Sequence, residues 1–177
     1  MPTVTAQLAS MATAMERVVL PALPADAIFA REQAGLVWAT LNWLVDVHAS
    51  EYRYEAAEGD DYRALLGALL ALDGADGSSE VPEVPEMRAV LDEPVAGTGP
   101  TTGDLVAVRD QTRRMKALAV GFLASSGDIG PELRRGAREL VMGVAERQVR
   151  REQAWFRMTG FPQDVPGDIA AVLAGER

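Results

Sequence analysis

Cysteine is absent from the 177 residues, and histidine and lysine occur once each, as His48 and Lys116. No apolar run approaches the ~20 residues that a membrane-spanning helix needs. Each absence removes a class of chemistry. Without cysteine there are no disulfides, thiolate metal sites or thiol nucleophiles. A di-iron carboxylate centre in a helical bundle needs Glu-x-x-His on two helices, and zinc catalysis needs several nitrogen ligands. One histidine serves neither, so no metal and no cofactor is expected. Net positive charge is also missing. At −9 overall, the chain repels phosphate backbones and anionic lipid, which argues against nucleic-acid and membrane partners. Glycine-rich nucleotide loops and a Gly-x-Ser-x-Gly elbow do not occur, so nucleotide binding and serine hydrolysis have no support. The opening "MPTVTAQLASMATAMERVV" shows no basic start followed by an apolar run, so no secretion signal is expected and a cytoplasmic location is.

Apolar residues at three–four spacing fill most of the chain. With 48% hydrophobic content, residues 1–177 suffice for one well-packed domain. Val4, Leu8, Met11, Met15 and Val18 make one stripe of a first helix, which Pro21 and Pro24 end. Asp26 is placed to cap, or to sit in the first turn of, a long second helix from about Ala25 to Glu58, closing at Gly59. Leu36, Val37, Trp38, Leu41, Trp43, Leu44, Val45 and Val47 give it so wide an apolar surface that it is either central or covered by another subunit. A third helix, "DDYRALLGALLAL", starts at Asp60 or Asp61 and closes near Gly74. Residues 73–103 read as a long acidic, Gly/Pro-rich loop with at most one or two helical turns around Glu86–Leu91. Such a loop is either a solvated, mobile connection or a lid or docking segment. Leu105, Val108, Thr112, Met115, Ala119 and Phe122 mark a fourth helix stopped by Gly127. A fifth has Pro131 in its first turn and Gly160 past its end, and "DIAAVL" makes a short terminal helix. No segment alternates with period two. The fold class is therefore all-α: an antiparallel bundle of four long helices plus short ones.

"LNWLVDVHASEYRYE" holds the only histidine. On a helical wheel His48 falls in the apolar arc near Val37, Leu41 and Leu44, with Glu51, Tyr52 and Glu55 within two turns. A carboxylate beside the imidazole would make His48 and Glu51 a general acid–base pair. The competing reading is a structural histidine bonded to a neighbouring helix. The fifth helix carries many arginines and glutamates, mostly as a solvated, salt-bridged face. Gln148, Arg151, Glu152 and Trp155 fall instead on the side of Val141 and Val144. There they need partners, such as Glu51 or Glu55 of the second helix, or an anionic ligand.

"ERVVLPALPADAIFAREQAGLVWATLNWLVDVHASEYRYE" followed by "LLGALLALDG" resembles a family of small uncharacterised bacterial helical proteins often encoded beside acyl-CoA dehydrogenases and aminoglycoside-phosphotransferase-like kinases. The resemblance rests on "VLPAL", an aromatic and a basic residue opening the next helix, and the closing "DG", and covers residues 16–74. It implies a role accessory to metabolism and carries over no catalytic residue. Two functions are open. One is a non-enzymatic bundle, expected as a homodimer, for protein association or small-ligand binding. The other is an enzyme or enzyme subunit using His48 and Glu51 in a cleft between the second and fifth helices.

Overall fold

The structure, a computed structural model, describes residues 2–74, 81–96, 104–159 and 167–175, with 127–129 as backbone only. Among these residues the secondary structure is helical, with no strand. None of the helices is long and apolar enough to cross a membrane. The sequence reads as one domain; the contacts cluster into two compact units, residues 1–51 with 150–177, and residues 52–149.

In the first unit, α1 (Val4–Ala14) is capped by Thr3, whose hydroxyl accepts from Ala6 N at 3.2 Å. Ahead of Pro21 the backbone widens into one π turn, Met15–Val19, followed by the short α2 (Leu20–Ala22). Proline lacks an N–H and crowds the carbonyl four residues back, which favours such a local unwinding. The first-helix stripe is only half used. Leu8 and Met15 are half-buried and Ala12 is buried, whereas Val4, Met11 and Val18 are exposed. Next comes α3 (Ile28–Val47), which packs on α1. It starts without a side-chain cap, so Asp26 contributes its carbonyl, accepting from Ile28 N at 2.9 Å, rather than its carboxylate.

The expected second helix does not run to Gly59. A single 3-10 turn, His48–Ser50, interrupts it, and α4 (Glu51–Asp73) then continues straight through Gly59. The second and third expected helices are thus redivided at His48. Gly59 was open to reading as a helix stop because glycine is poor in helix interiors. Its reason is packing: a Cβ there would lie 3.0 Å from Thr112 Oγ1. The true stop is Gly74, at φ 111°, a left-handed geometry suited to glycine.

In the second unit, α4 packs with α5 (Val84–Asp92), α6 (Leu105–Ile129) and the main part of α7 (Pro131–Trp155). The expected loop at 73–103 is corrected where it is described. Val81, Val84, Met87 and Val90 are buried with Leu66, Leu69, Met115 and Phe122 in one core. The one or two helical turns expected around Glu86–Leu91 extend here to a nine-residue helix, with Pro85 in its first turn, where proline is tolerated. Residues 75–80 and 97–103 lie outside the described residues. Asp104 caps α6 by accepting from Val106 N and Ala107 N, both at 3.1 Å. The expected stripe of α6 is buried from Val108 to Phe122. The helix passes Gly127 and ends at Ile129, joined to α7 by Gly130 alone.

Contacts set the helix directions. Glu55, Gly59 and Tyr62 of α4 meet Arg109, Thr112 and Lys116 of α6 in rising order, so these two helices run parallel. Asp61 meets Arg147 and Leu72 meets Gly136, so α7 runs antiparallel to α4. The parallel pair departs from a purely antiparallel order. It is possible because the segment containing α5 supplies the crossover that two parallel elements require.

Candidate functional site

The arrangement that brings most chemistry together is centred on Lys116 of α6. Its Nζ lies 2.7 Å from Oε1 of Glu58, a buried carboxylate on α4, and 5.2 Å from the centroid of the Tyr62 ring. The ring face attracts the ammonium and the carboxylate neutralises it, so the cation is held from two sides. Tyr62 in turn donates its hydroxyl to Oε1 of Gln148 on α7 at 3.3 Å. The three helices are thereby tied along one rim.

Two hollows meet at this lysine. On one side is an apolar cleft of about 250 Å³, walled by Leu65, Ala119, Leu123, Val144 and Ala145, with Tyr62 and Gln148 at its polar end. On the other is a polar hollow of about 230 Å³, where Arg109, Arg113 and Lys116 face Glu55 and Glu58. Arg109 Nε sits 2.8 Å from Glu55 Oε1. Arg113 reaches Asp110 at 2.6 Å. Lys116 borders both spaces. The walls are preformed by helix packing, as small-ligand sites usually are, though the apolar cleft lies just below the common range of ~300–1,000 Å³.

The candidates named from sequence are distributed differently from expectation. His48 is half-buried and opens the 3-10 turn, while Glu51 is the first residue of α4; both belong to the first unit. Neither lines the hollows at Lys116. Tyr52 lines a small cavity of about 100 Å³ between α4 and α6. Glu55, one of the alternative partners expected for the fifth-helix group, is held by Arg109 of α6. Of the four residues grouped on α7, Arg151 is buried, Gln148 and Trp155 are half-buried, and Glu152 is exposed. Gln148 alone joins the Lys116 rim.

Trp155 is part of an aromatic cluster in the first unit. Trp43 Nε1 donates to the Trp155 carbonyl at 2.8 Å, and its ring stands edge-on to the Trp155 ring with centroids 6.5 Å apart. Phe156 stacks on the other side at 5.9 Å. One turn on from Trp43, Asp46 takes both nitrogens of Arg157 in a forked pair, with Nε at 2.8 Å from Oδ2. That bond holds the Arg157 guanidinium above its ordinary pKa. These contacts pack Trp43, Trp155 and Phe156 against one another.

The arginine-rich side of α7, from Pro131 to Glu146, is a broad surface hollow lined by that helix alone, with Arg135 paired to Glu132. It is the solvated face expected of it. Among the described residues, no three histidine, aspartate or glutamate side chains gather where they could hold a metal ion. Sequence reasoning passed over Lys116 and Glu58. The available signal was the single lysine in a chain otherwise using arginine, one position from the buried stripe at Met115 and Ala119. No family model, curated protein or solved structure matches this chain.

Proposed function

We propose that the chain is a non-enzymatic helical protein that binds a small molecule with an apolar body and an acidic head. The body would occupy the cleft behind Tyr62, and the head would lie in the hollow where three cations face two carboxylates. One observation carries this reading: Lys116 stands at the junction of the apolar and the charged space. An acyl chain ending in a carboxylate has this chemistry. The resemblance of residues 16–74 to proteins encoded beside acyl-CoA dehydrogenases supports that choice, in a role accessory to acyl metabolism.

The lone lysine supplies the test. Acetic anhydride labelling, read by peptide mass mapping, reports the accessibility of Lys116 against the α-amino group as internal reference. Straight-chain carboxylates from butyrate to decanoate should protect Lys116 increasingly with length until the cleft is filled. Ala145→Trp, which fills the cleft, should remove that protection. Labelling indifferent to chain length would defeat the proposal.

A further inference from the structure

The hairpin of α1 and α3 is unusually bare. Phe29 is 73% exposed, Leu36 61%, Met11 55%, Val4 52% and Val37 50%. Of residues 2–40 only Ala12 and Ala34 are buried. These apolar side chains are not scattered. Val4 and Met11 are seven apart on α1, and Phe29 and Val37 are eight apart on α3, spacings that keep each pair near one face of its helix. A short connection makes the two helices antiparallel neighbours. Ala12 and Ala34 are the buried positions of the two contacting helices; with these sides facing inward, helical geometry directs Val4, Met11, Phe29 and Val37 to one side of the hairpin.

We infer that this face is the contact surface for a second copy of the chain, two hairpins joining about a twofold axis into a four-helix bundle. The first argument is area. These four side chains at their exposures present roughly 450 Å² of apolar surface, which at the usual ~60% apolar share corresponds to about 750 Å² per partner, close to the ~800 Å² of a stable interface. The largest apolar patch on an ordinary monomer is ~300–600 Å², and a patch of that size is often functional.

The second argument is charge. The chain carries −9, so two copies repel each other overall. Residues 2–45 hold only Glu16, Asp26 and Glu32 against Arg17 and Arg31, a net of −1, and α1 has no charged residue at all. Arg31 is occupied internally, donating to the Leu23 carbonyl at 3.1 Å. The hairpin is thus where self-repulsion is weakest and apolar gain greatest. A strongly acidic or basic partner would find nothing there to recognise. Closed twofold pairing is also the commonest way for identical chains to cover such a face.

Sedimentation equilibrium of the full chain at micromolar concentration should give the mass of two chains. Phe29→Glu with Val37→Glu should give one chain at undiminished helical dichroism. Val120→Glu, at an equally exposed site in the other unit, should leave the pair intact. Because the native chain has no cysteine, a single nitroxide on Gln33→Cys reports only distances between copies, and a short one is expected. A monomer at every concentration would assign the face to some other protein or to the rest of its own chain. That result, or a pair surviving the double substitution, overturns the inference.

Discussion

Glu58 keeps only 8% of its side chain exposed and has Lys116 at 2.7 Å, so each member of the pair depends on the other. Lys116→Met would strand the carboxylate without its cation, and the loss should be about 3–5 kcal/mol by urea unfolding. Adding Glu58→Gln should restore most of it, since a neutral amide costs far less to bury; no recovery would mean that the lysine stem, not its charge, matters. His48 is half-buried in a turn, so His48→Ala should cost roughly 1–3 kcal/mol through lost packing and bonding. Unchanged melting would count against a structural histidine and revive its pairing with Glu51 as an acid–base site. Glu93 sets the pH response of a third position. A hydrogen bond from Arg114, with its charge nearby, holds the Glu93 carboxyl below the ordinary value. A lowered carboxyl contributes stability that is full above its unfolded pKa and disappears as pH falls through the folded one. Wild type should therefore lose a small, salt-sensitive increment in acid relative to neutral pH, and Glu93→Gln should not.

Within elements, the contact of α4 with α6 at Gly59 tests the packing argument. Gly59→Ala gains helix propensity of about 1 kcal/mol but forces its methyl against Thr112 Oγ1. In a Thr112→Ala background the obstruction is gone, so Gly59→Ala should be better tolerated there by about 1 kcal/mol. Additive effects in the double-mutant cycle would refute the close approach. Met87, fully buried in α5, should cost about 2–5 kcal/mol on truncation to alanine, as core methionines do; a solvated loop would lose almost nothing. These positions also show what was readable from residue order. The stripe from Val108 to Phe122 was legible because local periodicity alone determines it. Gly59 was not, and of α5 only the turns around Glu86–Leu91 were, not their burial in the core, because a glycine at a helix crossing and a proline in a first turn look locally like breaks. Only the opposing surface distinguishes them. The Lys116 rim was hidden for the same reason: its members lie on three helices up to 90 positions apart, and helix direction, which the sequence leaves open, brings them together.

Over the whole molecule, the two units differ in how they use apolar surface. Residues 52–149 close a continuous core, whereas the α1–α3 hairpin leaves large side chains uncovered. The first unit is assembled from both ends of the sequence, and the second is the uninterrupted stretch between them. This ordering matters while the polypeptide is being made. Domains tend to fold as they emerge from the ribosome at ~5–20 residues per second. The hairpin would emerge before the central unit, and Trp43 and Asp46 would acquire Trp155, Phe156 and Arg157 only after that unit had emerged. For those several seconds the most apolar part of the chain would have neither its own closing segment nor a finished copy to meet, making it the segment most in need of a chaperone.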